Sequence, residues 1–502
     1  MLFPRSSGIL LHPTSFPGRY GIGDLGTEAY QFIDFLVGSD QQFWQILPLG
    51  PTGYGNSPYA CYSAMAGNPM LVSPEQLQMK GLLTDEDLSH LPEFPVDEVD
   101  FDRVFAIKKA LLIKACDRFQ TEGSPEFHEE FDQFCERHAD WLDDYALFMA
   151  LHNTFGDASW HKWEPDIAKR EPAAVDKWRR QLSDRIYYQK YVQFEFFRQW
   201  SWLKNYANER NIRIIGDIPF YVAHNSADVW AHRDIFALDE ETGEPKLMAG
   251  VPPDYFSETG QLWGNPIYKW EKLEQTNFRW WLQRIKMMFE YVDVLRIDHF
   301  RGFQAYWEVP QGETTAMNGR WVEAPGDQFF QVLKQELGGL PIIAEDLGLI
   351  TPEVLELRDR FEFPGMKILQ FAFGGGPDNL YLPFNINRHC IIYTGTHDNN
   401  TTIGWFNQIP NYERENVLRY LGCVSPEGIN WDMIRLALSS IADLAIVPMQ
   451  DLLDLGGEAQ MNAPSTTEGN WKWRYRPPML NDSLRERLKT LTYTYGRTPM
   501  GS

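Results

Sequence analysis

Cysteine is rare in this sequence: its 502 residues include five, at positions 61, 116, 135, 390 and 423. The number is odd, the positions are scattered, and no two of them form a C-x-x-C pair. The cysteines therefore indicate neither a disulfide framework nor a zinc site, and they fit a reducing compartment. The sequence also lacks an H-E-x-x-H motif and an EF-hand loop, so it predicts no metal site.

The sequence also has no long apolar run, and its basic residues are outnumbered by acidic ones. No stretch of 18 apolar residues occurs, which predicts no membrane span, and the apolar run at 8–11 is too short for a signal peptide. Lys and Arg number 46 against 69 Asp and Glu, a net charge of −23. This excess of acid argues against a nucleic-acid partner and against an anionic membrane surface. We expect a soluble cytoplasmic protein.

Aromatic residues are abundant, with 18 Trp, 22 Tyr and 32 Phe making up 14% of the chain. An apolar content of 43% and a charged content of 23% are typical of globular proteins. Most of the aromatic rings are expected in a large core. A minority could line a site for hydroxyl-rich ligands, since sugars stack their C–H faces on such rings.

Eight short apolar runs recur along the chain, each ending in or just before Gly, Pro, Asp or His. Continuous apolar runs are typical of parallel strands that are buried on both faces. Helical patterns lie between them, so the order predicts a (β/α)8 barrel, with an open doubly wound sheet as the alternative. The predicted strands are residues 8–12, 43–47, 212–218, 292–298, 341–345, 366–373, 390–394 and 444–449.

The spacing of these strands is uneven, because the second and third start 169 residues apart and the third and fourth start 80 apart. A βα unit needs only about 30 residues. We therefore expect residues 1–55 and 190–502 to form the barrel, with large, mainly helical insertions after strands two and three. The first insertion is 56–189, and the second, 223–275, is expected to bear a lid. Insertions after strand carboxyl ends surround a barrel's active site.

Charged residues follow the fourth predicted strand. Val294, Arg296 and Asp298 alternate along it and share one face, so Arg296 and Asp298 should point into the barrel together. An Arg beside an Asp lowers the pKa of the carboxyl and favours a nucleophile. A buried structural ion pair is the alternative, and Asp217 at the third strand could also pair with Arg296.

The fifth and seventh predicted strands end in carboxylates as well. Glu345 and Asp346 are adjacent and must point in opposite directions. We favour Glu345 as the functional one, because it continues the inward row from Ile343, and apolar neighbours should raise its pKa and suit it to act as an acid. Asp346 is then expected to cap the next helix. Asp398 follows His397 and could either join the site or cap a helix.

Carboxylates at the carboxyl ends of barrel strands are typical of catalytic residues. An acid of raised pKa and an ionised carboxylate are the two groups that cleave glycosidic bonds with retention. Whether water or a sugar hydroxyl resolves the intermediate decides between hydrolase and transferase, and the residues alone leave this open.

At these four strand ends the sequence resembles the α-amylase superfamily, with Asp217, R-I-D at 296–298, Glu345 and H-D at 397–398. Wider motifs are similar to those of the 4-α-glucanotransferases called amylomaltases or disproportionating enzymes. These motifs are G-Y-G-N-S-P-Y at 53–59, G-V-P-P-D-Y-F at 250–256, Q-L-W-G-N-P at 261–266, R-I-D-H-F-R-G at 296–302, E-D-L-G at 345–348 and W-R-Y-R-P at 473–477.

The resemblance implies a (β/α)8 barrel without a separate C-terminal β-domain, no cofactor, and malto-oligosaccharides or α-1,4-glucans as substrates. It implies Asp298 as nucleophile, Glu345 as acid/base and Asp398 as the residue that stabilises the transition state. The implied sugar-contacting or supporting residues are Tyr59, Asp217, Tyr255, Phe256, Trp263, Arg296, His299 and His397. The alternatives are a hydrolase of the same superfamily and a non-catalytic glucan-binding protein; the oligomeric state is open.

Overall fold

A computed structural model describes residues 3–253, 257–464, 466 and 468–499. Short apolar runs form most of the strands, and five of the twelve in the described ranges, β1, β2, β9, β11 and β12 in the numbering below, are buried along their whole length. The strands are β1 Ser6–Leu10, β2 Phe43–Gln45, β3 Arg213–Pro219, β4 Leu247–Val251, β5 Gln261–Pro266, β6 Val294–Asp298, β7 Ala305–Pro310, β8 Arg320–Glu323, β9 Ile342–Ala344, β10 Gly365–Ile368, β11 Cys390–Tyr393 and β12 Leu444–Pro448.

Eight of these strands form one parallel sheet, in the order β10-β11-β12-β1-β2-β3-β6-β9. Its two ends meet, because the N–H of Ala344 at the end of β9 donates to the C=O of Pro364, just before β10, at 3.0 Å. The sheet is therefore a nearly closed barrel and not an open doubly wound sheet. All eight predicted strands are present, and the (β/α)8 prediction is confirmed.

Helices surround this barrel and fill the first insertion. They are α1 Thr27–Gly38, α2 Pro74–Met79, α3 Asp85–Ser89, α4 Phe101–Glu122, α5 Pro125–Arg137, α6 Ala139–Thr154, α7 Pro165–Ala168, α8 Pro172–Gln181, α9 Ser183–Glu209, α10 Ala227–Ala231, α11 Trp270–Gln275, α12 Arg279–Tyr291, α13 Gly326–Leu337, α14 Pro352–Arg360, α15 Thr402–Gln408, α16 Asn411–Leu421, α17 Ile429–Ser439, α18 Met449–Leu452 and α19 Asp482–Thr494.

The insertion after the second barrel strand is helical, as expected. Its long helices α4, α5 and α6 pack on α9, which leads directly into β3. Because α9 begins at Ser183, the predicted barrel boundary at 190 falls inside one continuous helix. Two helices of this insertion, α5 and α6, meet at His138, where ψ is 11°.

A second sheet, which the sequence did not predict as such, lies in the insertions after the third and fourth barrel strands. It is antiparallel, in the order β5-β4-β7-β8. β4 and β5 belong to the segment 223–275, whereas β7 and β8 come from the loop between β6 and β9. The segment predicted to bear a lid is thus built into a sheet that spans two loops of the barrel rim.

The segment after β12 reaches the amino-terminal ends of β1 and β12 through Arg497. Its described residues contain α18 and α19 and no strand, in agreement with the absence of a C-terminal β-domain. Arg497 is fully buried and donates to the carbonyl oxygens of Leu438 at 2.8 Å and Ser6 at 2.7 Å. No helix in the described ranges is long and apolar enough to cross a membrane.

Candidate active site

The predicted site residues meet at the carboxyl edge of the barrel. Asp217 lies in β3, Arg296 and Asp298 lie in β6, and Glu345 directly follows β9. Asp398 lies five residues beyond the end of β11, in the segment that leads to α15. Parallel strands bring their carboxyl ends to the same rim, so residues that are up to 181 positions apart face one site.

Arg296 is the centre of a charge network on the floor of this site. Its Nη1 donates to both carboxylate oxygens of Asp217, at 2.8 and 2.6 Å, and its Nη2 donates to Asp298 Oδ1 at 3.1 Å. The shared strand face predicted for Arg296 and Asp298, and the pairing of Arg296 with Asp217, are both observed. Burial would lower the pKa of Arg296, but Asp217 and Asp298 raise it well above its usual value.

The net effect on Asp298 is opposite to the one expected from Arg296 alone. Burial raises the pKa of Asp298 to about 6; Arg296 opposes this shift, and the charges of Asp217 and Asp398 add to it. The prediction of a lowered pKa was therefore wrong, because burial outweighs the lowering by Arg296, which gives its two shorter hydrogen bonds to Asp217. Asp298 is still the more acidic member of its pair with Glu345.

Glu345 is held by two backbone donors. The N–H of His299 donates to Oε2 and the N–H of Leu347 donates to Oε1, each at 2.8 Å. Burial raises the pKa of Glu345 to about 7 and the charge of Asp298 adds to this, while Arg296 and the two N–H groups oppose it. The raised pKa agrees with the direction predicted for an acid.

Asp346 faces away from the site, as its position next to Glu345 requires. Its carboxylate accepts from Arg358 Nη1 at 2.5 Å and from the N–H of Met366 at 2.7 Å. It does not cap the next helix, because α14 begins after Thr351 with Pro352 at its first position. Arg358 lies on α14, so Asp346 ties this helix to the barrel.

Asp398 forms a hydrogen-bonded group with His397 and Asn462. His397 Nε2 lies 3.3 Å from Asp398 Oδ2, and Asn462 Nδ2 donates to Oδ1 at 2.7 Å. Burial disfavours the charged carboxylate, but His397 and Asn462 hold the pKa of Asp398 at about 2. Asp398 is not a helix cap either, since the hydroxyl of Thr401 accepts from the first turn of α15.

Tyr59 lies beside this group. Its hydroxyl donates to Asp217 Oδ2 at 2.6 Å, and its ring stacks on the His397 ring at 5.0 Å with an angle of 15° between the planes. Burial, followed by the charge of Asp217, raises the pKa of Tyr59 well above its usual value, so the phenol stays a neutral donor. Trp471 flanks both rings at 6.0 Å.

His299 faces the second sheet. It has a left-handed backbone with φ at 55°, and its ring meets the Trp263 ring edge-on at 4.9 Å. Burial lowers the pKa of His299 to about 4, which leaves a neutral imidazole, and its buried Nε2 has no hydrogen-bond partner among the described residues. Such an atom is suited to meet a ligand hydroxyl. Tyr255 and Phe256, the other predicted lid residues, lie outside the described residues.

Two neighbours of the site were missed by the sequence reasoning. Asn462 and Trp471 belong to an irregular segment after β12, where neither apolar periodicity nor a strand end marks a functional position. The nearby W-R-Y-R-P motif at 473–477 was the only signal in that region. Within the described part of the chain, no group of three or more His, Cys, Asp or Glu side chains could hold a metal ion.

A parallel barrel whose rim carries an ionisable Asp and a Glu of higher pKa belongs to the class of barrel enzymes that act on glycosidic bonds. Comparisons with known proteins are specific within that class. A family model described as 4-alpha-glucanotransferase matches residues 11–481. The chain belongs to this 4-alpha-glucanotransferase family, and it is a transferase enzyme that acts on glucans.

Full-length relatives support the assignment. The chain is 56% identical over 499 residues to a 4-alpha-glucanotransferase of Synechocystis, with 99% of each chain covered. It is 48% identical to a 4-alpha-glucanotransferase of Thermus thermophilus, with 98% of this chain and 99% of the relative covered. The solved structure of an amylomaltase from Streptococcus agalactiae in complex with acarbose matches with a TM-score of 0.95 at 39% identity, covering 99% of this chain and 100% of that one.

Proposed function

We propose that this enzyme cleaves α-1,4-glucosidic bonds with Asp298 as nucleophile and Glu345 as general acid/base, and that it transfers the cleaved glucan to the 4-hydroxyl of another sugar. The observation that carries this proposal is the pair of carboxyl groups at the barrel rim: Asp298 accepts from the Arg296 cation, whereas Glu345 accepts only from backbone N–H groups and burial raises its pKa. Near neutral pH, Asp298 is mostly ionised while a large share of Glu345 keeps its proton. Two carboxyl groups with these different states can divide nucleophilic attack and protonation between them.

The reaction runs in two halves. In the first, Asp298 attacks the anomeric carbon while Glu345 gives its proton to the leaving glycosidic oxygen, so a glucosyl ester forms and a shortened glucan departs. In the second, Glu345 takes the proton from the 4-hydroxyl of an acceptor, whose oxygen attacks the same carbon and releases Asp298. Two inversions at one carbon give net retention.

The remaining residues support the sugar and its transition state. Asp398, whose pKa is held at about 2, supplies a permanent negative charge close to a positively charged sugar ring. We assign His397 and His299 to sugar hydroxyls and Tyr59 to stacking against a sugar face. Asp217 holds the guanidinium of Arg296, which in turn donates to Asp298 and fixes the position of its carboxylate.

We assign the preference for transfer over hydrolysis to the segment 250–266. Trp263 in this segment is 40% exposed and contacts His299, so its ring is available to a sugar at the edge of the site. An aromatic cover excludes water and holds an acceptor sugar in place. We also assign Tyr255 and Phe256, which lie outside the described residues, to this proposed lid.

The test is incubation with maltotriose followed by chromatography of the products over time. Disproportionation gives glucose and longer oligomers with a constant number of reducing ends. A steady increase in reducing ends would instead identify a hydrolase. Tight glucan binding with no product at all would identify a non-catalytic binding protein.

The cellular setting remains part of the proposal. All five cysteines are free, which fits the cytoplasm that the sequence predicted, with malto-oligosaccharides and α-1,4-glucans as the substrates. We also propose a barrel of residues 1–55 and 183–502, with the boundary moved from 190 to the start of α9, and insertions at 56–182 and 223–275. Separate variants in each insertion would show whether they contribute to substrate choice.

A further inference from the structure

Arg301 is a buried charged residue next to the site that the mechanism above does not use. It lies in the 3-10 helix Phe300–Phe303, directly after His299, and is 9% exposed. Its guanidinium contacts two segments that are distant in sequence. Nη1 donates to the carbonyl oxygen of Leu349, and the guanidinium carbon lies 3.8 Å from the centre of the Trp321 ring.

The first contact reaches the turn that holds Glu345. Leu349 follows Gly348, which has a φ of 83°, and Leu347, whose N–H donates to Glu345 Oε1. The other donor to Glu345 is the N–H of His299, at the start of the short helix that carries Arg301. Arg301 therefore joins the two segments that supply both hydrogen bonds to the Glu345 carboxyl group.

The second contact reaches the antiparallel sheet. Trp321 lies in β8 and pairs with Trp307 in β7, which pairs with β4 and through it with β5. β5 carries Trp263, whose ring touches His299. The sheet thus meets the segment 299–301 at two places, with Trp263 against His299 and Trp321 against Arg301.

We propose that Arg301 is a positioning residue that fixes the Glu345 carboxyl group for proton transfer and ties it to the sheet bearing the lid. The inference rests on the proposed role of Glu345 as acid. A cation stacked on a Trp ring and bonded to a carbonyl resists displacement from both sides. Movement of the 347–349 turn would shift one of the two donors on Glu345, and small misplacements of catalytic groups cost large factors in rate.

The test compares two glycosyl-donor substrates, maltotriose and α-maltotriosyl fluoride, in the variant Arg301→Met. Maltotriose needs a proton on its leaving oxygen, whereas fluoride leaves α-maltotriosyl fluoride with little help from an acid. We expect kcat/KM for maltotriose to fall about 10- to 100-fold in the variant, because the acid is displaced. The kcat/KM for fluoride release should stay close to that of the wild type. Arg360→Met is the matched control, because Arg360 is exposed at the end of α14 and should leave both values unchanged.

An equal loss of kcat/KM on both substrates would mean that Arg301 shapes the whole site. No loss on either substrate would mean that Arg301 does not position Glu345. Each of these results overturns the proposal. If Arg301→Met does not fold, Arg301→Lys keeps the cation without the planar stack, and the same selective loss on maltotriose is expected. Trp321→Leu should reproduce part of the loss, and the double variant should fall short of the summed effects. Additive effects of the two substitutions would show that Arg301 does not couple Glu345 to the sheet through Trp321.

Glu345→Gln separates this inference from the proposed function. If that variant keeps normal activity on maltotriose, Glu345 is not the acid and the proposed function fails. If it loses activity while Arg301→Met behaves as wild type on both donors, only the positioning role fails.

Discussion

The two carboxyl groups of the site differ because their surroundings differ. Arg296 divides its hydrogen bonds among three carboxylate oxygens, two of Asp217 and one of Asp298. Arg296 therefore offsets only part of the rise that burial causes in the pKa of Asp298. Glu345 accepts hydrogen bonds only from backbone N–H groups, and burial raises its pKa further. The order of the two pKa values follows from which carboxyl group the guanidinium reaches.

This order predicts a narrow pH optimum. Activity needs Asp298 ionised, so it should rise as pH rises through about 6, and it needs Glu345 protonated, so it should fall as pH rises through about 7. The pH profile of kcat/KM on maltotriose should show both limbs. With α-maltotriosyl fluoride, the fall above pH 7 should be weak, because that donor needs little protonation. A full alkaline limb with both donors would contradict the assignment of that limb to Glu345.

Adjacent residues offer a matched pair of variants. Glu345→Gln should reduce turnover of maltotriose by about three orders of magnitude, since the general acid is lost. Asp346→Asn should keep the turnover and lower stability, because it weakens the bond to Arg358 on α14. Initial rates and thermal unfolding of both variants give the comparison. The reverse pattern of rates would make Asp346 the acid.

At the scale of elements, the second sheet is the main addition to the barrel. Its strands β4 and β5 belong to the insertion that was expected to bear the lid, and β7 and β8 extend it from the next loop. This arrangement gives Trp263 a fixed strand instead of a free loop. The described part of the segment 250–266 is therefore anchored at its base beside His299.

We expect Trp263→Ala to shift the enzyme from transfer toward hydrolysis. Loss of the ring opens the site to water and removes an acceptor platform, so the ratio of hydrolysis to transfer should rise severalfold. Glucose release and oligomer formation from maltotriose measure the two activities. Trp202→Ala is the control, since Trp202 is similarly exposed but lies on α9, where its ring meets Lys80 and Arg198. An unchanged ratio in Trp263→Ala would contradict the proposed lid.

At the scale of the whole molecule, Arg497 fastens the segment after α19 to the barrel. Arg497, close to the C-terminus, bonds the carbonyl oxygens of Ser6 at the start of β1 and of Ala442 and Leu438 before β12. These strands are neighbours in the barrel. One buried guanidinium therefore joins the first strand, the last strand and the terminal segment.

Arg497→Met should lower the free energy of unfolding by about 3 kcal/mol, because several buried carbonyl groups lose a charged donor. Arg485→Met on α19 should change it by less than about 0.5 kcal/mol, since that side chain is partly exposed and its partners are on the surface. Denaturant titration of both variants measures the difference. The rate on maltotriose should be unaffected in both variants. A change of less than about 1 kcal/mol in Arg497→Met would show that the terminal segment contributes little to the free energy of unfolding.

The sequence by itself determined the barrel and the positions of its site residues. Strands that are buried on both faces must be continuously apolar, so their bounds and the charged residues at their ends, such as Asp298 and Glu345, are visible as local patterns. The choice of Glu345 over Asp346 also followed from the alternation of side chains along one strand.

Only the tertiary structure decided how those residues influence one another. The pKa of Asp298, the bond from Asn462 to Asp398, the contact of Arg301 with Trp321, and the pairing of β4 with β7 all depend on distances between residues far apart in the chain. Burial and charge act through space and not along the sequence, so local patterns place the groups but do not fix the balance of forces between them.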